Sequence, residues 1–370
     1  MTSDLLRATP FHARAAEANA LNAWENRGGF TLVSSYGDAH GEALAARFGA
    51  VLADISWRPR TVIAGARVDE FVSRLFTRDA SRLSPGAALQ ALWLNDAGGV
   101  RGAGTVVRMG RDSFLLVSPL EDLDWIVAAA ALFGVAVHDV TADDGVLALV
   151  GPASARVLRA AGLDPNLDFL SLRKYFWRGL DVTLSRLGDH GGYELWCKPD
   201  DALIIWDRIV AAGHPFALCP AGQSALDILD LEGGIPSPGR DYAPAREGFA
   251  SEPSPQSLGL SGLVDREHIF NGRAGYLAAG PDRVLAGILL DSETPAPDKE
   301  LMRHGRSAGR TLGSLYSPAL RRAVALGVLA ADAVAPKTEL TLDSRPCHTA
   351  ALPFLPVPAP IPSSDGDSAP

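Results

Sequence analysis

The spacing of apolar positions changes along the chain, and each change marks an element. Ala39, Ala43, Ala46 and Ala50 fall on one side of a helix predicted over Asp38–Phe48. Arg60–Ala64 is rich in β-branched residues and predicts a strand, and Gly65 predicts a turn. Val68, Phe71, Val72 and Leu75 then follow at the i, i+3, i+4, i+7 spacing of a helix. The same order returns later: Val146–Val150 predicts a strand, Gly151-Pro152 a turn, and Ala153–Ala161 a helix with Val157 and Leu158 facing in. This recurrence predicts two related α+β halves. No short repeat is visible, which argues against a solenoid.

Two hairpins stand out. Gln90–Leu94 and Gly104–Met109 flank Asn95-Asp-Ala-Gly-Gly99, and Ser113–Val117 continues the pattern into an antiparallel meander over residues 90–117. A helix is expected from Leu120 to Leu132, with Glu121, Asp122 and Asp124 at the positive end of its dipole. Leu180–Leu187 and Tyr193–Cys197 bracket Gly188-Asp-His-Gly-Gly192, the second hairpin. Helices are predicted over Asp200–Ala212 and from Ser224 to Leu231. Pro236–Ser257 has little periodicity and much Pro, Ser and charge, so it reads as a long functional loop or crossover. Strands then return at Leu285–Leu290, Ala308–Leu312, Ala323–Leu329 and Glu339–Leu342, predicting a small β-rich C-terminal domain. Pro353–Pro370 reads as a disordered tail.

Composition narrows the chemistry. The 370 residues exceed one small module, and 47% hydrophobic with 21% charged residues suits a soluble globular core. Lys plus Arg number 34 against 43 Asp plus Glu, a formal charge of −9, which argues against a nucleic-acid partner. Cys197, Cys219 and Cys347 lie far apart without a C-x-x-C pair, so neither a zinc ribbon nor a disulfide scaffold is expected, and a reducing cytoplasmic setting fits. The eight histidines are scattered, so no metal site is expected. The N-terminus lacks the apolar stretch of a secretory signal, and the most apolar run, Trp125 to Val137, is too short to span a bilayer. No membrane partner is expected. Gly98-Gly99 and Gly191-Gly192 belong to hairpins and lack the rest of a phosphate-binding loop; Ser56 and Ser261 lack the context of a hydrolase nucleophile.

Six segments occur in a familiar order: Thr9-Pro-Phe-His-Ala-Arg14, Asp54-Ile-Ser56, Leu94-Asn-Asp-Ala-Gly-Gly-Val100, Gly191-Gly-Tyr-Glu-Leu195, Leu229-Asp-Leu-Glu-Gly-Gly234 and Tyr316-Ser-Pro318. Together they resemble the T-protein (aminomethyltransferase) family of the glycine cleavage system, with its tetrahydrofolate-dependent demethylase relatives. The resemblance implies an α+β fold, a three-domain cloverleaf around a central folate channel, in which tetrahydrofolate accepts a one-carbon unit at N5. The expected divisions are residues 1–53 with 140–258 as the folate-binding domain, 54–139 as a second α+β domain, 259–352 as the β-rich domain and 353–370 as the tail. It further implies that Glu194 grips the pterin, whose adjacent ring N–H and amine form a donor pair matching the two oxygens of a carboxylate. Tyr193, Gln90, Ser118 and Arg240 complete the expected folate-binding set. By pattern alone, Glu194 reads instead as a solvated strand residue.

The sequence departs from the family where its chemistry lies. An Asp pair that T-proteins carry after the first hairpin is replaced by Gly102 and Ala103, and no Asp or Glu occurs between Val100 and Arg111. The family's Arg before the Leu-Glu-x-Gly segment maps to Leu226, although Asp227 is kept, and aromatics before the hairpin give way to Gln90. Trp57 stands where T-proteins often have His. The signature of the iron–sulfur-assembly branch is absent. A different acid or base is therefore expected, and the loop residues Tyr36, Asp96 and His190 are the candidates, with Asp189 and Tyr242 behind them. Each can equally serve packing or surface. Arg240, Arg246, Arg266 and Arg273 are placed to meet the folate glutamate tail or to form surface ion pairs. With those carboxylates missing, the resemblance implies first a demethylase that moves a methyl group from a small N-, O- or S-methyl donor to tetrahydrofolate. A glycine cleavage aminomethyltransferase and a non-catalytic folate binder are the alternatives, and a carrier protein or partner subunit is a possible associate.

Overall fold

The repeated unit folds as its pattern dictates. Arg60–Ala64 and Gly145–Val150 are strands, each followed by a tight glycine turn and a short helix, Val68–Leu75 and Ser154–Ala161. Gly65 and Gly151 have φ of +148° and +119°, values that side-chain-bearing residues rarely adopt. At Gly151 a Cβ would also stand 2.5 Å from the Gly49 carbonyl oxygen. Helix Val68–Leu75 buries Val68, Phe71, Val72 and Leu75, the four residues of its predicted stripe. Burial of that stripe holds so short a helix in place, and truncating Phe71 to Ala is expected to cost about 3–5 kcal/mol.

The computed structural model describes residues 6–188, 191–245, 253–280, 283–291 and 294–360. It divides into two compact units: Met1–Trp57, Ala142–Leu229 and Val357–Pro370 form one, and Arg58–Thr141 with Asp230–Pro356 form the other.

In the first unit a six-stranded sheet has the order Leu172–Trp177, Leu180–Ser185, Tyr193–Cys197, Gly145–Val150, Val51–Asp54, Cys219–Pro220. Its neighbours are antiparallel except for the last pair. The second predicted hairpin is thus formed, Val182 facing Cys197 and Ser185 facing Glu194. Leu147, Leu149, Leu184, Leu195 and Val182 point from one face into a core with helices Ser154–Ala161 and Ala202–Gly213. A three-stranded sheet (Arg7–Ala8, Phe30–Val33, Trp24–Arg27) and helix His12–Ala18 lie within residues 7–33, a stretch with no element among those predicted above. The predicted helix at 38–48 is observed as Ala39–Phe48, with the Asp38 carboxylate accepting from the N–H groups of His40 and Gly41.

In the second unit the meander is present as Ala88–Leu94, Val100–Gly110 and Ser113–Val117, extended by Arg60–Ala64 and Ala136–Asp139 into a five-stranded sheet. Helices Val68–Leu75 and Leu123–Ala131 cover one face around Phe71, Trp93 and Phe114. The C-terminal strands close into a six-stranded barrel, ordered Arg283–Leu290, Arg322–Ala330, Arg306–Ser317, Glu300–Arg303, Glu339–Leu342, Arg345–Ala350. Closure removes the free edges that short strands otherwise expose. Beyond the barrel, Phe354 packs on apolar residues of this unit and the Leu355 N–H donates to the Glu232 carbonyl at 3.0 Å. The segment after Leu352, read as a loose tail, is therefore anchored at its start. Among the described residues, no helix is long and apolar enough to cross a membrane, and no cluster of three metal-ligating side chains occurs.

Candidate folate-binding and transfer residues

Alternation along Tyr193–Cys197 decides what Glu194 does. Tyr193, Leu195 and Cys197 turn into the core, so Glu194 and Trp196 emerge on the opposite face of the sheet. Glu194 is only 4% exposed, which rules out the solvated-strand reading. Its Oε2 accepts from the Ser185 hydroxyl at 2.9 Å and from the Trp196 indole N–H at 3.2 Å, and that same N–H lies 3.0 Å from Ser185 Oγ. A carboxylate offers about four acceptor positions. Two donors on one oxygen orient the group and leave acceptor capacity for a ligand's donor pair. The partners Ser185 and Trp196 were not singled out from sequence, although strand alternation and hairpin register place both beside Glu194.

Tyr193 lies apart from this face. Its ring is part of the core and its hydroxyl donates to the Pro165 carbonyl at 3.0 Å, a packing role that conflicts with its assignment to the folate set. Tyr36 also packs against that core and lines a small recess with Thr9, His12, Asp54 and Gln223. Asp54 pairs in register with Leu147, and Leu147 with Leu195, so this recess belongs to the side of the sheet opposite Glu194. Burial, then the negative charges of Asp54 and Glu42, push the Tyr36 hydroxyl well above its ordinary range, so at neutral pH it is a donor and not a base. Around the recess, Thr9 donates to Asp54 at 2.5 Å, Gln223 Nε2 donates to the Asp54 carbonyl at 2.7 Å, and Trp57 Nε1 donates to Gln223 Oε1 at 3.0 Å. Leu226 is buried, while the retained Asp227 is paired by Arg27. His190 and Asp189 lie outside the described residues.

The second unit shows what replaced the Asp pair. Gly102 sits opposite Trp93 in the hairpin, and a Cβ at 102 would stand 2.1 Å from the indole ring. The position is closed to any side chain while Trp93 stays. Trp93 is held by its N–H to Asp122 at 2.9 Å, and Arg101 forks onto the same carboxylate at 2.9 and 2.7 Å. Both charged side chains are 5% exposed, and Trp125 lies 4.4 Å beneath the guanidinium. Asp122 was expected to serve the dipole of the following helix; it stands at that N-cap but makes no side-chain cap bond, because Arg101 and Trp93 take its oxygens. Ala103 faces the other way, with Leu92, and is half-buried.

The remaining candidates scatter within this unit. Asp96 is exposed at the hairpin tip. Gln90 is half-buried in the strand opposite Thr105. Ser118 is buried with its hydroxyl on the Leu120 carbonyl at 3.0 Å. Arg240 forks onto the fully buried carboxylate of Asp241 at 2.8 and 2.7 Å, and Arg273 donates to the Arg266 carbonyl, so both guanidiniums carry internal duties. Arg246 lies outside the described residues. Tyr242 is 8% exposed in the wall of a cavity beside the barrel.

Residues 11–265 match the model of the GCVT N-terminal domain. The aminomethyltransferase of Frankia alni is 31% identical over 339 residues, 88% of this chain and 90% of that protein. The aminomethyltransferase of Geobacillus thermodenitrificans is 29% identical over 334 residues, 86% and 89% of the two chains. A crystal structure of the glycine cleavage system aminomethyltransferase T from Bartonella henselae superposes with a TM-score of 0.83 over 96% of this chain and 99% of that one, at 23% identity, so the mixed α+β fold with its terminal barrel is shared. A family match over most of the chain, with relatives aligned almost end to end, establishes that this protein belongs to the T-protein, or aminomethyltransferase, family.

Proposed function

We propose that this protein transfers a one-carbon unit to tetrahydrofolate, and that the donor is an aminomethyl group on a carrier, as in glycine cleavage. Both named relatives are aminomethyltransferases, which reverses the ranking that the family resemblance and the missing carboxylates first implied. The observation that carries the folate part is Glu194: a carboxylate removed from water, oriented by Ser185 and Trp196, with acceptor capacity left for the adjacent N–H groups of a pterin. Such a group favours a ligand that brings two donors side by side, since leaving buried acceptors unpaired is costly. The test is direct. Calorimetric titration of tetrahydrofolate should show saturable binding that Glu194→Gln weakens. Mixing the protein with tetrahydrofolate and an aminomethyl-loaded lipoyl carrier protein should yield 5,10-methylenetetrahydrofolate and ammonia. Failure to bind tetrahydrofolate at all would sink the reading.

One observation favours a second reading. Position 102 presents no carboxylate and is sealed by Trp93, so a reaction that depends on a charged group there has no counterpart in this chain. A methyl donor such as a small N-, O- or S-methyl compound, demethylated to give 5-methyltetrahydrofolate, places different demands on the site. Product analysis separates the two: methylene- and methyl-tetrahydrofolate are resolved by chromatography after incubation with each donor class.

A further inference from the structure

We infer that the barrel unit carries a second ligand site, shaped for a carboxylate attached to an aromatic or similarly apolar body. A cavity of about 720 Å³ opens between the crossover, through Tyr242 and Leu258, and barrel residues Arg283, Arg310, Leu312 and Val328. That volume lies within the usual range for small-molecule sites. Tyr242 is 8% exposed, and its hydroxyl makes no hydrogen bond among the described residues. A ligand polar atom in the cavity can pair with this hydroxyl.

The charges of the wall select an anion. Asp241 is neutralised by Arg240, and Asp298 by Arg310 at 3.0 Å. Arg283, an exposed residue lining the same cavity, makes no ion pair among the described residues, so its guanidinium can meet an anion there. Its planar fork matches a carboxylate. Leu258, Leu312 and Val328 face the remainder of the ligand with hydrocarbon. The lining of this site does not include Glu194, Ser185 or Trp196, and it stands whether or not the one-carbon reading does.

Phenylacetate, phenylacetamide and phenyl phosphate, titrated into the full chain and followed by calorimetry and ligand-observed NMR, test the assignment. Phenylacetate is expected to saturate, with the neutral amide at least about tenfold weaker. Arg283→Ala should weaken phenylacetate by about tenfold, Tyr242→Phe by a smaller factor at unchanged melting temperature, and Glu194→Gln not at all. No saturable binding, equal affinity for the amide, or indifference to Arg283→Ala would overturn the site. Tighter binding of phenyl phosphate than of phenylacetate would overturn the carboxylate assignment.

Discussion

Glu194 and Gly102 are the two residues on which the functional reading turns, and each has a substitution that isolates its role. Glu194→Gln keeps the shape and the contacts with Ser185 and Trp196 but removes the charge. Hydrogen bonds to charged groups contribute about 1.5–3 kcal/mol, so tetrahydrofolate affinity should fall by tenfold or more while the melting temperature moves little. Titration calorimetry with a parallel thermal melt checks both halves. At Gly102 the expectation is about stability. A single methyl group there collides with Trp93, and overpacking of this kind typically costs about 1–3 kcal/mol. Chemical denaturation of Gly102→Ala should show that loss, and Trp93→Leu in the same chain should return part of it by vacating the space. If Gly102→Ala melts like the parent, the indole does not seal the position.

At the scale of elements, two buried carboxylates tie segments that sequence leaves independent. Glu42, on helix Ala39–Phe48, accepts from the backbone N–H of Tyr36 at 2.7 Å, the Ser35 hydroxyl at 3.0 Å and the backbone N–H of Gly222 at 2.8 Å. One side chain thus fixes a loop, a helix and the turn before helix Gln223–Glu232. Asp122 does the same for a hairpin and a helix through Trp93 and Arg101. Because Arg101 and Asp122 are both nearly buried, removing one leaves the other uncompensated. Arg101→Met should therefore destabilise by about 3–5 kcal/mol, far beyond a surface pair. The double variant Arg101→Met, Asp122→Leu should recover much of that loss, and denaturation of the three variants forms a cycle that checks it.

For the molecule as a whole, the distribution of buried ionisable groups predicts an alkaline limit. Burial lifts the Cys197 thiol to about 12 and the Cys347 thiol to about 11, and it also raises Cys219 and the hydroxyls of Tyr36, Tyr193 and Tyr242. A group that ionises later in the folded chain than in the unfolded chain favours folding fully below its unfolded value. That contribution is lost as pH rises through the folded value. The melting temperature should accordingly fall from pH 9.0 toward 11, and Cys197→Ala should make the fall shallower. Near neutrality the same thiols are protonated and should react slowly with iodoacetamide until the chain is denatured.

Period and turn chemistry alone determined the strands of the repeated unit, both hairpins and the class of the fold, because alternation, helical stripes and Gly-containing turns are local properties of the chain. Short polar strands such as Trp24–Arg27, Leu172–Trp177 and Arg345–Ala350 carry no such signal; pairing with neighbours distant in sequence makes them strands. The motif Gly192-Tyr193-Glu194 named the right segment, yet only the sheet decided that Glu194 is buried beside Ser185 and Trp196 while Tyr193 faces the opposite way. Sequence likewise showed that a carboxylate is missing at 102. That an indole from the facing strand fills the space, held by an aspartate 29 residues from it, is a matter of register and packing, which no one-dimensional pattern encodes.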